Sequence, residues 1–432
     1  PALKYQLLPE MSEMNPGNPV QGYMLCFTNY NFFHLQEVFE QREKWLGMPL
    51  KDLPVGKVLS ETRGGWVLED ADFAARLDTA DWQALSRLKR DGAHTVLPDV
   101  QEMRSLAEVL KLRFRAQAAS RRFDDAIGGA KTMFALSRHL GEHPAGVAAV
   151  VGFAIADMAL DPLEEMIQQP GCPNMFWALS NLPSPLIDLR KGMQFERTMF
   201  THEFALLDEA APMTDAQLQT ATKRLIALFG GNPNLEKERK DFQIRLKAFS
   251  EDRSRVDAAR KRLIEAGIVS ERVKQFEPTQ VILLDEKRAY EICRDDLLKL
   301  TALPYWQIES VLEDGKQQTA KTNELLFARM LGNAGDIRPM LFVRAQVYRQ
   351  QRIAMLCCVE GLRIFAVEHD GKLPDSLDAV ALPLPVDPVT SKQFSYRLDG
   401  STATLRGTPP QGKEKNAFYA SYIRRYEITI QK

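Results

Sequence analysis

QQRIAMLCCVEGLRIFAVEHDGKLPDSLDAVALPLPVDPVTSKQFSYRLDGSTATL, residues 350–405, is the stretch that decides the fold class of this 432-residue chain. Its first part places Ile353, Leu356, Cys357, Val359, Leu362, Phe365 and Ala366 close to a 3.6-residue period, which predicts a long helix with a buried stripe. Gly371 and Pro374 end that helix. After Asp387-Pro388 the period changes to two. Phe394, Tyr396 and Leu398 share one face, Asp399-Gly400 supplies turn residues, and Ala403 and Leu405 alternate on the returning strand. A helix packed on a small antiparallel sheet follows, and the stretch carries no catalytic signature.

Upstream, helical periods run from Asp81 to His369. The clearest pair is Met103–Ser120 and Phe123–Leu140, joined by a tight Arg121-Arg122 corner and ended by Gly141 and Pro144. Antiparallel pairs with short corners are the unit of helical solenoids. The most apolar run, Ala145 to Leu160, is interrupted by Asp157 and is short for a bilayer span of ~20 residues, so a core helix is expected. Nearer the start, Pro16-Gly17-Asn18-Pro19 opens a helix through Tyr23 to about Trp45. Lys57 to Leu59 and Trp66 to Leu68 read as a short hairpin across Arg63-Gly64-Gly65. Asn232-Pro233 starts a long polar helix ended by Gly267. Leu235, Phe242, Phe249, Val256 and Leu263 recur along it as a narrow seam, suited to a coiled-coil contact.

Composition narrows the functional classes. Hydrophobic residues at 45% and charged residues at 26% describe an ordinary globular chain. With 56 basic and 57 acidic residues the net charge is −1, so no long-range field draws nucleic acid or an anionic membrane. Five scattered cysteines make neither a disulfide framework nor a paired-cysteine metal site.

The titratable constellations give no convergent chemistry. His139 and His143 have helical i,i+4 spacing, but Gly141 lies between them and the zinc-protease motif is not met. Glu196, His202 and Glu203 share a helix and read as an exposed acidic stripe, while Glu164-Glu165, Asp124-Asp125 and Asp295-Asp296 diverge around their helices. No phosphate loop, nucleophile elbow or dinucleotide fingerprint occurs. More informative is Pro173-Asn174-Met175-Phe176-Trp177 followed by Leu182-Pro183-Ser184-Pro185, an amphipathic turn between proline corners. Phe176 and Trp177 are the candidate partner-binding residues, able to line a groove or ledge. A core-filling helix is the simpler reading of the same residues.

Three passages carry a resemblance: Ala2-Leu3-Lys4-Tyr5 through Pro16-Gly17-Asn18; Arg122-Phe123-Asp124-Asp125-Ala126; and Pro173 to Leu179 with Leu182-Pro183. They resemble a group of large helical proteins of unassigned function from planctomycete-type bacteria, usually exported. The spacing of Phe123 and Ala126 is similar to the second helix of a tetratricopeptide repeat. The tail, from Leu362 to Pro374 with Asp387-Pro388 and Phe394-Ser395-Tyr396, resembles the globular part of type II secretion major pseudopilins. In that family the loop often binds calcium. Here the corresponding Arg406-Gly407-Thr408-Pro409-Pro410 lacks the further acid, so Asp387 is not taken as a metal ligand.

The resulting expectation is a mainly α protein: an elongated, TPR-like α-solenoid array of antiparallel helix pairs with a small C-terminal α+β module. Four segments are expected: 1–77, 78–230, 231–337 and 338–432. The resemblance implies the periplasm or cell envelope. The expected function is a non-catalytic scaffold holding a protein or envelope partner, without nucleic acid, metal, cofactor or a transmembrane segment in this chain. The alternatives are an envelope hydrolase whose acid pair comes from distant helices, or a subunit of a larger assembly that oligomerises through the Leu235–Leu263 helix.

Overall fold

The computed structural model describes residues 2–28, 33, 36–62, 66–227, 236–308, 325–327, 338–409 and 423–430. It is mainly helical, with one small sheet. The helices are α1 Pro19–Leu25, α2 Gln36–Leu46, α3 Val55–Thr62, α4 Trp66–Ala74, α5 Ala84–Asp91, α6 Pro98–Ala119, α7 Phe123–Gly141, α8 Gly146–Ile167 and α9 Phe176–Ser180. They continue with α10 Leu189–Thr198, α11 Thr201–Phe204, α12 Asp215–Ala227, α13 Glu236–Glu251, α14 Arg253–Glu265, α15 Ser270–Gln275, α16 Pro278–Leu298 and α17 Arg338–Glu368. Strands β1 Ser395–Asp399, β2 Thr402–Arg406 and β3 Arg425–Thr429 form an antiparallel sheet in the order β1-β2-β3.

Local chemistry sets the boundaries. Asn18 caps α1 by accepting from Val20 N, with Pro19 in the first turn, where its missing N–H costs nothing. Gly371, at φ +80°, ends α17 and donates its N–H back to the Ala366 carbonyl at 2.8 Å, satisfying a carbonyl of the last turn. In the sheet, Leu398, Ala403 and Ile428 align across the strands, as do Tyr396, Leu405 and Tyr426. These two rows face the core, which is the alternation that a half-buried sheet requires.

Two main cores organise the chain. The first joins Leu7 and Tyr23 near the start to α6, α7, α8, α9 and α17, and then to Ala403, Leu405 and Ile428 near the end. The second runs from Phe204 to Phe327 and includes α12 to α16, crossing the 230/231 boundary expected from sequence. A smaller cluster of Trp45, Leu53 and Val58 sits against Leu112 and Ala116 of α6. Because α17 returns onto α8, some 190 residues back along the chain, the first core differs from a stack in which each repeat touches only its neighbours.

Three expectations need correction. Residues 55–62 and 66–74 are helices rather than the strands of a hairpin: Val58 and Thr62 are buried at i,i+4, and Val67, Leu68, Ala71 and Ala74 follow a helical face. The expected helix from Tyr23 to Trp45 is divided, with α1 closing in a 3-10 turn at Cys26–Thr28 and α2 starting at Gln36. The long polar helix is also two helices. Asp252 accepts from Ser254 N and Arg255 N and caps a new start, so α13 and α14 fold against one core. Phe242, Val256 and Leu263 of the seam are buried inside that core. Leu235, Asn232 and Pro233 lie outside the described residues.

Candidate functional site

The Phe176–Trp177 pair sits on α9, a single turn of helix wedged against α17. Its attachment is polar at one end and apolar beneath. Asn174 caps the turn by accepting from Phe176 N and donates Nδ2 to the Glu360 carbonyl at 2.9 Å. The Met175 N–H donates to Glu360 Oε2 at 2.6 Å, and Arg363 Nη1 donates to Glu360 Oε1 at 2.6 Å. Arg363 Nη2 also reaches the Cys172 carbonyl. Glu360 is fully buried, and burial pushes its carboxyl pKa up, against the opposing pull of Arg363 and the Met175 N–H. Gly361 makes room for this docking, because a Cβ there would stand 2.6 Å from Leu384 and 3.5 Å from the Phe176 ring.

On this support the two aromatic residues differ. Phe176 is fully buried, whereas Trp177 is 37% exposed, its ring held edge-on to Phe176 with centroids 5.0 Å apart. Beyond α9, Asn181 Nδ2 donates to Gln6 Oε1, and Gln350 Nε2 donates to Ser184 Oγ. Downstream of Trp177 the ledge is therefore tied to the N-terminal segment and to α17. A sequence signal marks this surface: residues 166–187 contain no Asp, Glu, Lys, Arg or His, in a chain that is 26% charged.

The densest polar constellation escaped the sequence reading. Asp157, Asp161 and Glu164 form an acidic ladder on one face of α8. Arg352 of α17, 2% exposed, bonds Glu164 at 2.7 Å and Asp161 at 2.6 Å and lies 3.4 Å from Asp157. Burial alone would lower the Arg352 pKa, but the bonds to Glu164 and Asp161 outweigh it and raise it. Arg349 pairs with Asp157, Lys111 with Asp161 and Arg115 with Glu165, while Tyr426 of β3 donates to Glu164. The signal was present as complementary spacings: acids at i, i+4 and i+7 on α8, and bases at i,i+4 on α6 and i,i+3 on α17. Each of these carboxylates is held by a cation, so the ladder works as a structural seam.

The other weighed residues are also engaged within the chain. His139 Nδ1 meets the Tyr23 hydroxyl at 2.9 Å, and its carbonyl accepts from Trp82 Nε1. His143 Nδ1 accepts from Ala145 N at 3.0 Å. Burial depresses both rings to a pKa of about 4, which keeps them neutral at pH 7. Buried Asp387 accepts from Val389 N and Thr408 N, and Gln351 Nε2 reaches both its oxygens at 3.0 Å. Among the described residues no three His, Cys, Asp or Glu side chains are grouped to hold a metal ion. The helix expected to carry Glu196, His202 and Glu203 is two, α10 and α11, and Glu203 is buried rather than part of an exposed stripe, with His94 Nε2 at 3.9 Å. A cleft of about 610 Å³ lies between α12 and α13, but its floor residues Leu218 and Leu246 are already buried and its rim mixes Lys223 and Lys247 with Asp215 and Glu251.

One helix among the described residues, α8, is long and apolar enough to cross a membrane, and in this fold it packs into the first core. No known protein family matches the chain, and neither the curated proteins nor the solved structures contain a significantly similar one.

Proposed function

We propose that this chain is a non-catalytic scaffold of the cell envelope that holds a protein or envelope partner on the Trp177 ledge. The observation that carries this reading is a solvent-facing indole on a support locked from beneath: Phe176 is sealed, and Asn174 and Met175 are bonded to Glu360. An aromatic anchor that is already ordered loses little conformational freedom on binding, and Trp is enriched among the residues that dominate interface energies. The pair α6–α7, backed by α8, is the TPR-like, solenoid part of the proposal and serves as the platform behind the ledge. The envelope location rests on the resemblance of about the first 200 residues to exported helical proteins.

The test is a pair of matched baits from the native source, wild type and Trp177→Ala, both shown to be folded by circular dichroism. Loss of a defined partner from the mutant bait supports the reading. Identical capture by both baits overturns it.

A further inference from the structure

We propose that the ligand of the ledge is a neutral glycan, one of whose pyranose rings stacks on Trp177. This rests on the ledge being a contact surface and names the chemistry that it would recognise. From Cys172 to Ile187 the exposed side chains are Asn174, Trp177, Ser180, Asn181, Pro183 and Ser184, none of them charged. Trp177 and Asn181 are spaced i and i+4 and so lie on one side of the turn, while the Ser180 hydroxyl is turned toward Cys357 Sγ of α17 at 3.1 Å.

This set complements a sugar better than the other common ligands. The C–H face of a pyranose ring carries partial positive charge and meets the negative π face of an indole, and its hydroxyls bond to neutral amides and hydroxyls. Asn181 is held in place by its bond to Gln6, which leaves its carbonyl oxygen to accept from a hydroxyl. A phosphate, a nucleic acid or an acidic peptide calls for cations, and residues 166–187 contain none. A proline-rich peptide docks into a groove with several aromatic walls, and this segment exposes a single aromatic ring. The support is rigid, so the indole is oriented before the ligand arrives.

The test uses full-length chain labelled with 5-fluorotryptophan and followed by fluorine NMR. Trp177→Phe identifies the Trp177 resonance among those of the five tryptophans. Chitohexaose, cellohexaose and maltohexaose are added separately, with a proline-rich peptide as the competing ligand. The expected result is a saturable shift of the Trp177 resonance with at least one oligosaccharide and a Kd on the order of 1 mM or tighter. Trp177→Ala should abolish binding measured by calorimetry, and Asn181→Ala should weaken it several-fold, with the melting temperature lowered by no more than a few degrees through loss of the bond to Gln6. The proposal is overturned if none of the three sugars moves the resonance, or if the peptide moves it and the sugars do not. If the matched baits still differ by a partner while no sugar binds, the ledge stands and its assignment to glycans falls.

Discussion

The two sides of α17 are built on opposite principles. Toward α8 it presents Arg349 and the buried Arg352 to an acidic ladder, with Lys111, Arg115 and Tyr426 completing a charged seam. Toward α9 it uses one buried carboxylate, Glu360, to hold a turn whose outer face carries no charge. Charge is placed where the partner is another part of the same chain and withheld where the surface is open. A buried, paired ion specifies one arrangement because any other leaves it uncompensated. A neutral aromatic ledge imposes no such demand.

Among the charged groups, the largest effect is expected from breaking the seam. Arg352→Met should destabilise by about 3 kcal/mol, toward the low end for removing one member of a buried ion pair, because Asp157, Asp161 and Glu164 each keep another partner. Denaturant unfolding monitored by circular dichroism would measure it, and an unchanged midpoint would mean that the ladder is solvated. Acidification tests the neutral buried histidines of and after α7. His139 and His143 have folded pKa values of about 4, below the unfolded value near 6.5, so the unfolded chain binds more protons between the two. Their stabilisation is present above pH 6.5 and is lost as the pH falls, by roughly 2 kcal/mol per histidine at pH 5. Glu360 and Asp387, whose pKa values are raised by burial, act in the opposite sense and favour the folded state as the pH falls. Urea unfolding at pH 7 and pH 5 should therefore show a net loss in acid. His143→Asn should reduce that loss, because an asparagine oxygen still accepts from Ala145 N without titrating. A smaller effect is expected at the α9 anchor. Glu360→Gln keeps an acceptor for Met175 N but gives up the charge facing Arg363, costing about 1 kcal/mol. A loss of several kcal/mol would mean that the ledge, too, depends on a strong ion pair.

The parts of the fold legible in the sequence are those set by local period and punctuation. The α6–α7 pair, the Gly371 stop of α17 and the β1–β2 alternation follow from residues within one or two turns of each other. Most of what failed depended on distant partners, the Asp252 cap being the local exception. Arg352 reads as an interruption of an apolar helix until Asp161 and Glu164 stand opposite it. Val58 and Val67 suit a strand or a helix equally until α3 packs on α6 and α4 on α1. The seam from Phe242 to Leu263 reads as one helix unless the Asp252 cap is recognised. At the ledge, the sequence singles out Phe176 and Trp177 together but not which of them is sealed. That depends on the register of α9 against Gly361 and Leu384, nearly 200 residues away.

The most direct test of the account separates those two side chains by stability. Phe176→Ala and Trp177→Ala would be unfolded in guanidinium chloride under identical conditions. The account predicts a loss of about 3–5 kcal/mol for Phe176→Ala, the usual cost of emptying a fully buried aromatic site, and about 1 kcal/mol for Trp177→Ala. Equal, large losses would contradict it, because Trp177 would then be a packing residue and the ledge would not be a free surface.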